Sequence, residues 1–185
     1  MLLLVAATDA ELCGHAGLVC GVGPVEAAAA TARALTRQPV AAVLHIGLAG
    51  GPNPGEIVIG SEASYVDLRA NWPVVDRAEP DARLVEAVRR VLPAAPLVPI
   101  LTSATVGRSR NRAGGLVEAM EGFGVIRACA LAGVPAVEVR AVSNEVGEED
   151  RSSWRIAEAL AALSEALPRL LVAIDEVVSV RRGEG

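Results

Sequence analysis

A chain of 185 residues is long enough to bury a sizeable core and is read as one domain over 1–185. Over half its residues are apolar, aromatics are nearly absent, every basic residue is arginine and the net charge is −5, so no basic stripe is offered to a nucleic acid. Three cysteines without a CxxC spacing and two histidines give no metal cluster. The opening MLLLVAA is too short to span a bilayer and lacks the basic start of a signal peptide. The odd cysteine count suits a reducing compartment, which places the chain in the cytoplasm.

Strand-like apolar runs alternate with helical patterns. Leu2–Ala7 reads as a buried strand, and Leu18–Val22 as a second that ends in GVG. A helix over Pro24–Leu35 follows, with proline at a permitted first-turn position. Val40–Ile46 is a third strand running into GLAGG, a loop expected at 47–51. Two short strands, Glu56–Ile59 and Glu62–Val66, flank Gly60 and Ser61; the segment 68–81 reads as loose. Ala82–Val91 is amphipathic and helical, and Leu97–Thr102 is a strand. Gly115–Leu131 is helical in its second half and stops at Gly133. Ala136–Val142 is a strand. Ser153–Val180 is a long helix with Ile156, Leu160, Leu163, Leu167, Leu170, Leu171 and Ile174 on its apolar side and a kink expected at Pro168. This alternation implies an α/β fold: a central mixed, mostly parallel twisted sheet with helices on both faces, three layers deep.

Ligands of such sheets bind beyond the carboxyl ends of the strands, which brings Glu11, Gly23, the 47–51 loop and Asn144 together. Thr8-x-x-Glu11 has the pattern of a capping box, the reading that the pattern alone favours; the functional reading of Glu11 is a general base just past the first strand. GVGPVEAAAA is half a dinucleotide fingerprint, because Glu26 stands where the third glycine belongs. GLAGG lets backbone amides approach a ligand, but it carries no arginine or serine to hold a phosphate. Glu121, between Met120 and a small, apolar run, is either a solvated residue of a first helical turn or a carboxylate aimed at the two hydroxyls of a ribose. Asn144 in AVSNEVG reads as turn chemistry when taken alone.

Taken in order, these motifs resemble the nucleoside phosphorylase and nucleosidase superfamily, in the branch that holds methylthioadenosine/S-adenosylhomocysteine nucleosidase and futalosine hydrolase. HIGLAGG followed by GEIVIGSEASYVD is similar to that family's GSAGG…GDIVVSDEARYHD. VEAMEGFGV is similar to VDMEATAI, and VPAVEVRAVSNEVG to VPFVVVRAISDVA. The resemblance runs from Met1 to about Ala173. It implies that Met120 packs on a ribose, that Glu121 is buried because its partner is the substrate, and that Glu11 activates water. It further implies that Asn144 meets N7 of a purine, that Gly47, Leu48 and Ala49 line the substrate site, and that Val106 and Gly107 line the base pocket. No metal or organic cofactor is implied, and the partners are a nucleoside and further copies of the chain, as a homodimer or homotetramer.

The departures narrow the expectation. The adenine-specific members carry aspartate where this chain has Asn144. An amide NH2 suits the two acceptors, N7 and O6, of a 6-oxopurine. Leu48 replaces the serine of GSAGG, which favours hydrolysis over phosphorolysis. The expectation is therefore a purine nucleosidase that releases hypoxanthine, as from futalosine. A methylthioadenosine/S-adenosylhomocysteine nucleosidase, a 6-oxopurine phosphorylase and a nucleoside-binding protein without turnover are the alternatives.

Overall fold

The computed structural model describes residues 1–106 and 116–183, with side chains as far as 180. Its strands are β1 (Leu2–Ala6), β2 (Leu18–Val19), β3 (Ala42–Gly50), β4 (Ile57–Tyr65), β5 (Arg77–Ala78), β6 (Leu97–Thr102), β7 (Val117–Ala119) and β8 (Ala136–Asn144). Its α-helices are α1 (Pro24–Arg37), α2 (Ala82–Val91), α3 (Gly122–Ala132) and α4 (Ile156–Gly183). Single 3₁₀ turns cover Ala10–Leu12 and Arg151–Ser153.

Five of the eight strand pairings among the described residues are parallel: β1–β2, β1–β3, β3–β8, β4–β6 and β6–β7. β3–β7, β4–β5 and β4–β8 are antiparallel. The pairings β3–β8–β4–β6–β7–β3 close on themselves, so the sheet is a mixed, ring-like one that β1 and β2 extend. A central mixed, mostly parallel sheet was the expectation, and the pairings agree with it. The closure rests on two details of the backbone. β4 is one strand rather than two, with a register irregularity between Gly60 and Glu62 that lets it pair with β8 at its start and β6 along its length. The short strand β7 lies in the first half of Gly115–Leu131, ahead of the part expected to be helical, and it bridges Gly50 of β3 to β6.

Side-chain alternation sorts the core into two faces. Leu4 and Leu44 point to one face and pack with Leu84 and Val88 of α2 and Leu163, Leu167, Leu170 and Ile174 of α4. Leu3, Val5 and Val43 point to the other and pack with Ala27 of α1 and Val125, Ile126 and Cys129 of α3. Full burial of each large aliphatic side chain contributes about 1.5–3 kcal/mol. α3 stops at Gly133, whose φ of 67° is left-handed and whose N–H caps the carbonyls of Ala130 and Cys129. Pro168 lies inside α4. The segment expected to be loose contains β5, paired with β4.

The parallel strands β1, β3 and β8 end on the same side of the sheet. Beyond β1 come Thr8 and Glu11, the end of β3 is Gly50, and the end of β8 is Asn144. Met120 and Glu121 join β7 to α3 at the same side.

Candidate active site

A cavity of about 290 Å³ opens at these strand ends. Glu11, Leu48, Ala49, Val106, Met120, Glu121 and Asn144 all line it. Gly107 lies outside the described residues. Gly47 does not line the cavity. It belongs to β3, which continues to Gly50, so the GLAGG segment is strand and not a loop until Gly51. The reason is that β8 pairs with it residue for residue, Gly47 against Arg140 and Leu48 against Ala141.

Glu11 sits in the 3₁₀ turn and is 7% exposed. Its Oε2 accepts the Thr8 N–H at 3.0 Å and the Thr8 hydroxyl at 2.8 Å. Its Oε1 accepts the N–H of Leu48 at 2.9 Å. The first of these is the returning half of a capping box. The other half is missing: the turn's N-cap is Asp9, and the Thr8 hydroxyl donates to the carboxylate instead. The Leu48 bond crosses 37 residues and has nothing to do with capping. It fixes the carboxylate between β1 and β3, facing the cavity.

Glu121 is 4% exposed at the N-cap of α3. Burial of a bare carboxylate is costly, so its partners matter. They are protein groups, which corrects the expectation that the substrate alone accounts for its burial. Oε1 accepts the N–H of Gly23 at 3.1 Å, and Oε2 accepts from Arg140 Nη2 at 3.3 Å. Gly23 can present that N–H because its φ of 96° is one that side chains disfavour. Each carboxylate oxygen has lone-pair capacity left for a hydroxyl.

Arg140 is the largest feature missing from the reading of the sequence. It is 0% exposed on β8. Its Nε donates to Glu138 Oε1 at 2.8 Å, and Nη1 donates to the Leu48 carbonyl at 3.3 Å. Nη2 also lies 2.6 Å from Nε2 of His45. Burial acts against its charge, but Glu138 and Glu121 outweigh that and raise its pKa. Burial pushes the Glu138 carboxyl up, against the pull of Arg140. The signal was present in the sequence: in AVEVRAVSN, Glu138 and Arg140 are two apart and so share one face of an apolar strand.

Asn144 projects at the end of β8. Its Nδ2 donates to the carbonyl of Glu145 at 2.8 Å, and its Oδ1 accepts the Ser143 hydroxyl at 2.7 Å. A carbonyl only accepts, so the Glu145 contact fixes which end of the amide is the NH2. One N–H of that group is left over. The lining residues that the sequence did not single out include Ser143 and Trp154, whose ring lies under the guanidinium of Arg151 at 5.8 Å. Cys20 and Cys129 are buried, and burial pushes both thiols up to about 12, so they stay protonated at neutral pH.

The phosphorylase superfamily model matches residues 16–179. A futalosine hydrolase of Streptomyces coelicolor is 41% identical, covering 83% of this chain and 77% of its own. A futalosine hydrolase of Thermus thermophilus is 36% identical, covering 85% and 81%. Among solved structures, a 5′-methylthioadenosine/S-adenosylhomocysteine nucleosidase from Neisseria meningitidis, in complex with methylthio-immucillin-A, superposes with a TM-score of 0.81. It shares 19% identity and covers 92% of this chain and 97% of its own. A futalosine hydrolase mutant of Helicobacter pylori gives 0.80 at 16% identity, covering 92% and 97%. Those structures share the fold. The chain belongs to the phosphorylase superfamily and, within it, to the family of the futalosine hydrolases.

Proposed function

We propose that this chain hydrolyses the N-glycosidic bond of futalosine and releases hypoxanthine. The observation that carries the reading is the convergence of Glu11, Glu121 and Asn144 on one cavity, in a chain 36–41% identical to futalosine hydrolases. Glu11, held by Thr8 and Leu48, takes a proton from water as the oxygen bonds to C1′. Glu121 accepts the ribose hydroxyls while Met120 packs on the sugar. The C1′–N9 electron pair leaves with the base, and the free N–H of Asn144 stabilises charge developing at N7 and O6. An amide cannot deliver a proton as a carboxylic acid does, so the base is neutralised by water. Water is favoured over phosphate as nucleophile because no described lining residue is basic, whereas Glu11, Glu118 and Glu121 line the cavity.

The fixed amide of Asn144 favours hypoxanthine over adenine, because the edge it presents is a donor that the 6-amino group cannot accept. A site built for specific hydrogen bonds rejects a mispaired analogue by up to about 10⁴-fold. Initial rates on futalosine and methylthioadenosine, for wild type and Asn144→Asp, test this. Wild type prefers futalosine, and the variant loses turnover on it and narrows the preference. Equal wild-type rates on the two substrates refute the assignment.

The same reading makes the chain one catalytic domain of the cytoplasm that works as a homodimer or homotetramer. Val22, on the cavity wall, is 56% exposed and Val25 on α1 is 75% exposed, an apolar surface that a second copy would cover. A monomer with full activity in sedimentation at assay concentration overturns it. No helix among the described residues is long and apolar enough to cross a membrane.

A further inference from the structure

The guanidinium of Arg140 has five N–H donors, and four have named acceptors. Glu138 takes Nε–H, His45 and Glu121 share Nη2, and the Leu48 carbonyl takes one hydrogen of Nη1. The fifth, also on Nη1, has no named acceptor, and Glu11 acts on the arginine through its charge. A Cβ built on Gly47 would meet both Nη1 and Glu11 Oε1, so the missing side chain is what lets the two groups approach. One fixed positive charge therefore stands behind both carboxylates to which the proposed function gives chemistry.

His45 and Glu138 lie directly opposite one another in the β3–β8 register, on the far side of Arg140 from the cavity. Neither lines that cavity, and they are 0% and 1% exposed. His45 Nδ1 is 3.1 Å from the carbonyl of Val5. A carbonyl only accepts, so the proton is on Nδ1, and Nε2 is left as an acceptor for Arg140. Burial first, and then the Arg140 charge, lower the pKa of this imidazole well below its ordinary value and keep it neutral. A neutral acceptor has a consequence that a third carboxylate at position 45 would not have. It orients Nη2 without drawing the arginine's charge away from Glu121 and Glu11. Glu138 fixes the other edge through Nε, while its second oxygen has no hydrogen-bond partner and abuts Gly122, the residue after Glu121. That oxygen does no hydrogen bonding of its own; the side chain is held where it serves Nε.

We infer that His45 and Glu138 are positioning residues, a two-sided clamp that sets the rotation of the Arg140 guanidinium so that one face holds Glu121 while the other flanks Glu11. The inference rests on the functional reading only for what Glu11 and Glu121 do. The charged and titratable groups around the clamp are Glu138, Glu121, Glu11 and the buried thiol of Cys20.

Two arms test it. The chain has two histidines, and only His45 is buried, so ¹⁵N spectra of the histidine-labelled protein resolve its ring. The clamp requires the neutral Nδ1–H tautomer, unchanged between about pH 5 and pH 8. Titration within that window, or a proton on Nε2, overturns the proposal. The second arm compares His45→Phe with His45→Gln, each checked for cooperative unfolding. Phenylalanine removes the acceptor, whereas the glutamine carbonyl oxygen reaches about the same place as Nε2. His45→Phe is expected to lower kcat/KM by about 10²-fold, as a displaced catalytic constellation does, with KM rising through Glu121 and kcat falling through Glu11. His45→Gln recovers most of that loss. Wild-type constants in a folded His45→Phe overturn the clamp, and if that variant does not fold the spectra of wild type still decide. A wild-type chain that releases no hypoxanthine from futalosine overturns the functional reading instead, and leaves the placement of Arg140 to the spectra.

Discussion

Replacing Glu11 by glutamine separates its two jobs. The carboxylate accepts three hydrogen bonds: two at Oε2, from the N–H and hydroxyl of Thr8, and one at Oε1, from Leu48 N–H. Glutamine has one oxygen. If that oxygen faces Thr8, its NH2 meets the Leu48 N–H, donor against donor. If it faces Leu48, the NH2 meets the Thr8 N–H, although the Thr8 hydroxyl can turn to accept. Either way one part-buried backbone N–H loses its acceptor, at about 1–3 kcal/mol. For a chain of this length each kcal/mol lowers Tm by about 2–4 °C. Loss of a general base costs turnover a further factor of about 10²–10⁴. Urea unfolding gives the first quantity, and initial rates of hypoxanthine release per folded molecule give the second. A stable variant would refute the hydrogen-bond argument. A destabilised variant with wild-type turnover would leave Glu11 as a structural residue and sink its catalytic assignment.

Gly47→Ala probes the contact between β3 and β8. The added Cβ would lie 2.8 Å from Glu11 Oε1 and 3.3 Å from Arg140 Cζ, so overpacking is expected to lower stability by about 1–3 kcal/mol and to reduce turnover with it. Unfolding midpoints and rates indistinguishable from wild type would contradict this geometry. Asp81 caps α2 by accepting from the N–H groups of Arg83 and Leu84. Burial opposes its ionisation, but the bonds from Arg83 and Leu84 prevail and its pKa falls below the ordinary 3.8. Its folded form is the stronger acid, so this contribution is present above pH 3.8 and disappears as pH falls through the lower folded value. Asp81→Ala is expected to lose about 0.5–2 kcal/mol at neutral pH, with the gap to wild type closing in strong acid when followed by denaturant titration. A gap independent of pH would show that the ionised carboxylate is not what caps the helix.

The local sequence determined most of the elements and three of the site's side chains. Continuous apolar runs specify β1, β3 and β8, because each buries side chains on both faces of the sheet. Gly133 ends α3 because only a residue free to be left-handed closes that cap. Glu11, Glu121 and Asn144 were legible because ligands of such sheets bind beyond the strand ends, and because the motifs around them resemble a family. What the tertiary structure decided is where charge goes. Nothing local marks VEAM as a strand, yet its first three residues are β7, since only the neighbouring β3 and β6 supply the hydrogen bonds that make so short a segment a strand. GLAGG was read as a loop because glycines weaken a strand, and it is strand because β8 lies beside it. Glu121 was assigned a substrate as its only partner. Its nearest cation is 19 residues away in sequence and comes alongside through the pairing of β8 with β3. An isolated strand gives Arg140 and Glu138 no means of staying buried. The fold does so by setting His45 opposite, a glycine beside and two further carboxylates in front, and those relations exist only once distant segments have been brought into register.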